Sequence, residues 1–187
     1  MFALPILSIF AASVAGHAVV TEPPPRQAGA ANLAACGSAV QKKLTDDETG
    51  PIENIVKVVD GDTTDACELY TCRSYLFDDN KDSVQTYAVG DVVSWAINLV
   101  AHHTGYANLS IIDTASNSAI ESLYVWDVYA NSSVGPSQWP ADETAFEVTI
   151  PDVGTQCAEA GACAMQWYWY ATENSQTYES CVDFVIA

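Results

Sequence analysis

From residue 87 onward, short runs of β-branched and aromatic residues are separated by Gly, Pro, Asn and Asp. In the run 91–101, the apolar residues Val93, Trp95 and Ile97 occupy every second position. A period of two puts these side chains on one face of a strand, and an apolar face is buried. Similar runs follow at 107–113, 122–129, 145–150, 164–170 and 181–186. Several such strands with few helical stretches predict an all-β fold, an antiparallel β-sandwich.

Residues 23–82 have a different pattern. They include Pro23, Pro24 and Pro25, many small residues, and only brief helix-like periods such as 33–44. This pattern predicts a long loop region with one or two short helices. The region contains too few apolar residues to bury a core of its own, so we expect it to decorate the sandwich rather than to form a second domain.

Residues 1–16 have the pattern of a signal peptide. They contain no charged side chain, are apolar from Phe2 to Val14 and end in small residues at Gly16. The apolar run is shorter than the roughly 20 residues that a membrane span requires. We therefore expect a secreted, extracellular protein whose mature chain, residues 17–187, forms a single domain.

The cysteines fit an oxidising compartment. There are six, an even number that predicts three disulfides. Six cysteines allow fifteen pairings. We expect local closure of Cys67 with Cys72 and of Cys157 with Cys163, which leaves Cys36 for Cys181. A thiolate metal site is the rival interpretation, but the chain has no CxxC pair.

The charge of the chain is strongly acidic and unevenly placed. The formal net charge is -18, and every Lys and Arg precedes residue 82. An acidic surface repels phosphate backbones and anionic lipids, so we expect neither nucleic acid nor a membrane as partner. A neutral polysaccharide is compatible with this surface, and solubility in an acidic medium explains the charge equally well.

Two sequons indicate a secreted glycoprotein. They begin at Asn108 and Asn131, and each ends in Ser two residues later. Asn131 lies in a segment rich in Ser, Gly and Pro, so we expect it to be the more readily modified of the two.

The chain contains only three histidines, which are His17, His102 and His103. Cleavage after Gly16 would make His17 the first residue, and its α-amino and ring nitrogens could then chelate one metal ion together. A second imidazole would complete a planar set of three nitrogens, which selects Cu(II) among divalent ions. The α-amino group has a pKa of about 8, so the metal displaces its proton at little cost near neutral pH. On spacing alone, three ordinary surface or core histidines remain the alternative.

Three tracts carry a resemblance to a known family. They are His17-Ala-Val-Val, Ala101-His102-His103-Thr-Gly-Tyr, and Gln176-Thr-Tyr178-Glu-Ser-Cys-Val-Asp183-Phe. Together they resemble the lytic polysaccharide monooxygenases and their chitin-binding type-4 relatives. The resemblance implies an immunoglobulin- or fibronectin III-like sandwich that binds one copper ion in a "histidine brace".

By this resemblance His17 is the first copper ligand, through two nitrogens, and His103 is the second, because the family's ligand follows an Ala-x-His pattern. His102 is the second choice. In strand phase His103 continues the apolar face and His102 the polar one, but the end of a strand can twist, so phase does not decide between them.

Tyr178 lies five residues before Asp183, the spacing at which the family places an aromatic residue in the axial copper position. A phenol oxygen there would be a weak, long ligand that leaves a coordination position open. Gln176 resembles the Gln-x-Tyr motif in which the amide orients the bound oxygen species. The alternative for Tyr178 is a core or rim aromatic residue.

Aromatic residues are numerous, with five tryptophans and nine tyrosines. Trp95, Trp126 and Trp167 fall inside predicted strands, so we assign them to the core. In the run 167–170 tryptophans and tyrosines alternate, which puts the tryptophans on one face of the strand and the tyrosines on the other, so we expect one of the two sets to face solvent. Tyr106 follows the histidine pair closely enough to lie near a metal there.

The resemblance implies a lytic polysaccharide monooxygenase-like copper oxidoreductase. Its substrate would be a polysaccharide such as chitin or cellulose, its reductant an external electron donor, and we expect it to act as a monomer. Two alternatives stay open: a non-catalytic copper-binding protein, and a chitin-binding module without oxidase activity.

Overall fold

The computed structural model describes residues 17–187, so the predicted signal peptide, residues 1–16, lies outside the described residues. The strands are β1 His17–Glu22, β2 Gln85–Tyr87, β3 Val92–Ala101, β4 Gly105–Asp113, β5 Ser118–Tyr129, β6 Ala145–Thr149, β7 Cys163–Ala171 and β8 Gln176–Ile186. Two helices, α1 Ala30–Asp46 and α2 Ile52–Val56, lie between β1 and β2 in the chain. Across residues 17–187, no helix has the length and apolar character needed to cross a membrane.

The strands form two sheets, with strand orders β1-β3-β6 and β2-β8-β7-β4-β5. One large core cluster contains side chains of both sheets, among them Trp95 of β3, Phe146 of β6 and Trp167 of β7. The alternation of apolar and polar residues in each strand supplies the inward face of this sandwich. The predicted immunoglobulin- or fibronectin III-like β-sandwich with short helices is confirmed.

The aromatic residues separate by face as the alternation predicts. Trp95, Trp126 and Trp167 are buried, which confirms their assignment to the core. Trp169 is also buried, whereas Tyr168 and Tyr170 are only half-buried on the outer face of β7.

The predicted strands correspond to β3 through β8, but the sequence pattern did not reveal β1 and β2. β1 has only two inward apolar side chains, Ala18 and Val20, before the chain reaches proline. β2 has three residues and pairs parallel to β8, so the sheet is not purely antiparallel. Elements this short carry too few periods to be recognised by alternation.

The helical region, residues 23–82, covers the outer face of β8. Arg26 forms a bidentate ion pair with Asp183 of β8, at 2.7 Å from Nε to Oδ2 and 2.6 Å from Nη2 to Oδ1. Arg73 donates its backbone N–H to Glu179 of β8 at 3.0 Å. These buried, charge-assisted contacts fix the region on the sheet.

The prediction that this region buries no core of its own is wrong in one respect. A small separate cluster contains Ala35, Cys36, Val40, Leu44, Ile55 and Tyr75. The helix-like period at 33–44 lies within α1 and supplies most of this cluster, from two helical segments that meet at a kink at Gly37, where φ is 79° and ψ is 167°.

The three disulfides join Cys36 to Cys67, Cys72 to Cys181, and Cys157 to Cys163. The Cys157–Cys163 pair is the predicted one, whereas the predicted pairs Cys67–Cys72 and Cys36–Cys181 are wrong.

Tertiary hydrogen bonds explain the difference in pairing. Thr64 binds back to α1 through its backbone N–H, 2.9 Å from the carbonyl oxygen of Ala35, which carries Cys67 to Cys36. The chain then turns away: residues 72–74 all have positive φ, and this turn places Cys72 on β8. Nearness in sequence therefore did not decide the pairing.

Candidate metal centre

The start of β1 lies beside the end of β3. The two strands are antiparallel, and His17 pairs with Ala101, the last residue of β3. His103 follows Ala101 by two residues, in the connection to β4. The register thus brings the first residue of the predicted mature chain to the same end of the sheet as the histidine pair.

Two hydrogen bonds hold β1 in this position. The backbone N–H of Ala18 donates to the carbonyl oxygen of Thr49 at 3.0 Å. The backbone N–H of Val20 donates to Ser180 Oγ of β8 at 3.2 Å. β1 is therefore fixed both to the helical region and to the second sheet.

The two adjacent histidines have different surroundings. The ring of His102 stacks on Trp139, with centroids 3.4 Å apart and planes 14° from parallel. Burial lowers the pKa of His102, and the charge of His103 lowers it further. The imidazole of His102 is therefore engaged by the indole of Trp139.

The turn that carries His103 is anchored at its far end. Glu173 accepts hydrogen bonds from the backbone N–H of Thr104 and from Ser132 Oγ, both at 2.8 Å. The hydroxyl of Ser132 is the main reason that the pKa of Glu173 is lowered, and the backbone of Thr104 and the charge of His103 contribute. These contacts restrict the residues on the C-terminal side of His103.

Tyr178 lies near the start of β8, with its ring in the core and its hydroxyl bonded to Gln176. The ring stacks on Trp169 at a centroid distance of 4.4 Å. Its hydroxyl donates to Gln176 Oε1 at 2.8 Å, and Asn174 Nδ2 donates to the same oxygen at 2.7 Å. Since both donors use the carbonyl oxygen, the NH₂ group is the end of Gln176 that can donate to a ligand.

Two acidic side chains near this position have no counterpart in the sequence prediction. Asp47 Oδ1 lies 3.5 Å from His17 Nε2. Glu53 of α2 accepts hydrogen bonds from the backbone N–H and the hydroxyl of Thr177, both at 2.8 Å. Burial raises the pKa of Tyr178, and the charges of Glu53 and Asp47 raise it further.

Asp47 and Glu53 come from the helical region, whose placement on β8 depends on tertiary contacts. The sequence contains no motif that marks them. A third acidic residue, Glu179, is influenced by the charge of Glu53. The pKa of Glu179 is raised to about 7, mainly by burial.

Tyr106, predicted to lie near the metal, lies on the outer face of the five-stranded sheet. Its aromatic neighbours are Tyr168 and Tyr170 of β7, at centroid distances of 6.4 and 5.9 Å. It is 43% exposed, so it forms part of an outward tyrosine patch.

The residues present fit a copper ion held by nitrogen. His17 supplies an imidazole and, once a peptidase frees it, an α-amino nitrogen, and the β1–β3 register places it near the turn that carries His103. Among residues 17–187, no group of three or more His, Cys, Asp or Glu side chains is arranged to hold a metal ion. The predicted brace is a different donor set, because it needs two imidazoles and an amine.

A family model described as "Lytic polysaccharide mono-oxygenase, cellulose-degrading" matches residues 17–184, and this match begins at His17. Among curated proteins, none matches the chain.

Solved structures of similar proteins include a polysaccharide monooxygenase CBM33 studied by X-ray photoreduction, with 15% identity, a TM-score of 0.37, and coverage of 56% of this chain and 60% of that one. A second is the AA10 lytic polysaccharide monooxygenase from Streptomyces lividans, with 10% identity and a TM-score of 0.42. The match covers 62% of this chain and 73% of that one. A third is the cellulose-active enzyme CelS2 in complex with copper, with 13% identity, a TM-score of 0.34, and coverage of 62% and 59%. This chain thus spans about three-fifths of the first and third proteins.

Proposed function

Because the chain belongs to the lytic polysaccharide monooxygenase family, whose model matches residues 17–184, we propose that it is a secreted copper enzyme that cleaves glycosidic bonds oxidatively in a polysaccharide such as cellulose or chitin. The observation that carries the proposal is the pairing of His17 with Ala101, which brings the predicted N-terminal histidine to the His103 turn. The signal peptide, residues 1–16, is part of the same proposal, since only its removal frees the amine of His17.

His17 would bind the ion through its α-amino nitrogen and ring, and His103 through its ring. A bound copper ion would supply one-electron chemistry: an external donor reduces the ion, and dioxygen or peroxide is the oxidant that is reduced while a sugar carbon beside the glycosidic bond is oxidised. The chain would hold His17 in a rigid position, because β1 is hydrogen-bonded to both Thr49 and Ser180.

Tyr178 and Gln176 would shape the side of the centre that faces the core. The buried ring of Tyr178 excludes water there, and its hydroxyl is already engaged by Gln176. That hydrogen bond and the one from Asn174 fix the carbonyl of Gln176, so its NH₂ group would be the end that donates to a ligand at the centre.

The charge of the protein supports a neutral substrate. With a net charge of -18 and no Lys or Arg after residue 81, the chain repels polyanions. Neutral chains such as cellulose and chitin carry no charge to be repelled.

The test uses the mature protein beginning at His17, loaded with copper and supplied with ascorbate on cellulose, chitin, starch and xylan. We expect mass spectrometry to detect oxidised oligosaccharides from one of these polymers. Variants His17→Ala and His103→Ala should lose this release and bind Cu(II) much more weakly, whereas His102→Ala should retain both properties. A protein with one extra residue before His17 is the matched control, because it keeps both imidazoles but lacks the free amine at His17.

Three results would contradict the proposal. The first is a secreted protein whose first residue is not His17, because that protein would lack the chelate of amine and ring nitrogen. Tight Cu(II) binding without oxidised products on any polymer favours the non-catalytic copper-binding protein. The third is binding to insoluble chitin that does not change when His17 is replaced by alanine or when copper is removed. Together with an absence of oxidised products, that result favours the chitin-binding module.

A further inference from the structure

Asp47 contacts the imidazole of His17 and is itself held by a second charge. Its Oδ1 lies 3.5 Å from His17 Nε2, and its Oδ2 lies 3.1 Å from Lys43 Nζ. The side chains of His17 and Asp47 are only 25% and 22% exposed. Partial burial of such a contact reduces screening by solvent.

We propose that Asp47 is a positioning residue that keeps the ring N–H of His17 on Nε2 and thereby reserves Nδ1 for the metal. This inference rests on the proposed function, because it assigns a role at the same centre. A carboxylate accepts hydrogen bonds and donates none when ionised, so the imidazole nitrogen that faces it carries the proton.

The chelate needs this tautomer. Nδ1 is the ring nitrogen nearer to the backbone, so it can share one ion with the α-amino nitrogen of the same residue. Nε2 points away from the backbone and cannot. A carboxylate that binds the outward N–H of a ligand histidine fixes both the tautomer and the orientation of the ring.

Asp47 can do this because its backbone is held firmly. It directly follows α1, in the loop formed by residues 47–50. The buried guanidinium of Arg73 donates to three carbonyl oxygens of this loop: Asp47 at 2.6 Å, Glu48 at 2.8 Å and Gly50 at 3.0 Å. A buried arginine that donates several hydrogen bonds to one loop holds the backbone of that loop in place.

The same loop also holds β1, so Asp47 and His17 share one frame. Thr49 accepts the backbone N–H of Ala18, the residue after His17. A Cβ at Gly50 would collide with the carboxylate of Asp47, so a side chain at position 50 would displace that carboxylate. The loop therefore fixes both the carboxylate and the strand that carries the imidazole.

The test compares Asp47→Ala with Asp46→Ala in the mature protein. Asp46 is the neighbouring acid, 57% exposed and paired with Lys42, so its removal is a matched loss of one charge. Nitrogen-15 NMR of the metal-free protein reports which ring nitrogen of His17 carries the proton. Calorimetry with Cu(II) gives the affinity, and electron paramagnetic resonance gives the copper hyperfine pattern.

In the wild type and Asp46→Ala we expect the proton of His17 on Nε2. Asp47→Ala should show a mixture of tautomers, Cu(II) affinity weaker by about 10- to 100-fold, and an altered hyperfine pattern. Asp47→Asn keeps an oxygen acceptor at the same place and should restore the tautomer. If Asp47→Ala does not fold, the lengthened side chain of Asp47→Glu provides the comparison and should also disturb the tautomer.

A His17 tautomer that is unchanged in Asp47→Ala overturns the inference, whatever the protein does to polysaccharides. The reverse result is separable: if the metal-free tautomer depends on Asp47 but no polymer is oxidised, the role of Asp47 in orienting His17 stands and the proposed function fails.

Discussion

Glu143 is a buried carboxylic acid that accepts a hydrogen bond from the backbone of Ala130. It is 2% exposed, and its Oε2 has no hydrogen-bond partner among residues 17–187. Burial raises the pKa of Glu143, the charge of Asp142 raises it further, and a hydrogen bond from the backbone of Ala130 opposes the shift. The folded protein therefore holds a proton here that the unfolded chain releases more easily.

This shift predicts how stability depends on pH. Because the folded pKa lies above the unfolded one, the contribution of Glu143 is fully present below its unfolded pKa and is lost as the pH rises through the folded value. Glu143→Gln mimics the protonated form, so the variant should be more stable than the wild type at pH 8 and nearly equal to it at pH 4. Urea unfolding at both pH values measures this difference.

Glu147→Gln is the control for this prediction. Glu147 is exposed on β6, where Ser94 Oγ donates to it at 3.2 Å. Its substitution should change stability little at either pH. Equal stability of Glu143→Gln and the wild type at pH 8 would contradict the prediction.

At the residue scale, sequence patterns identified the residues that a motif marks. His17, His103, Gln176 and Tyr178 came from spacing and resemblance, and their roles at a metal remain predictions. Asp47 and Trp139 could not be found in this way, because each reaches its histidine through tertiary contacts. Nothing in the neighbouring sequence distinguishes Asp47 from Asp46.

At the element scale, alternation predicted the long strands and failed for the short ones. β3 alternates over ten residues, which is enough to define a face. β2 has three residues and lies where it does because β8 offers a parallel edge. The disulfide pairing failed for a related reason, since it depends on where the helical region lies on β8.

The disulfide that joins the helical region to β8 should contribute more to the free energy of unfolding than the short-range disulfide between Cys157 and Cys163. Cys72–Cys181 spans 109 residues and Cys157–Cys163 spans 6. A cross-link that closes a longer loop removes more entropy from the unfolded chain. The loop-closure relation gives about 5 kcal/mol for the long loop and about 2 kcal/mol for the short one.

The test is denaturant unfolding of two double variants, Cys72→Ser with Cys181→Ser and Cys157→Ser with Cys163→Ser. Both remove a buried disulfide and introduce two hydroxyls, so they are matched in chemistry. We expect the first to lose clearly more free energy of unfolding. Equal losses would show that residual structure in the unfolded chain, and not loop length, decides the contribution.

At the scale of the whole molecule, charge is the dominant feature. The chain has twenty-four acidic and six basic residues, and residues 1–16 carry no charged side chain, so residues 17–187 alone have the same net charge of -18. Some of the basic residues are already committed: Arg26 pairs with Asp183, and Arg73 binds the loop at 47–50. The folded state therefore carries an excess of like charge at neutral pH.

This repulsion predicts that salt stabilises the protein. Ions screen like charges that a compact fold brings together, and the screening length falls from about 30 Å at 0.01 M to about 3 Å at 1 M ionic strength. The melting temperature should therefore rise between 10 mM and 500 mM NaCl at about pH 7.5. The rise should be smaller at pH 5, closer to the isoelectric point of 4.1, where carboxylates begin to bind protons. Calorimetry at both pH values separates screening from a general salt effect on apolar surface, which acts equally at each pH. An equal rise at the two pH values would show that repulsion between carboxylates does not limit the stability of this fold.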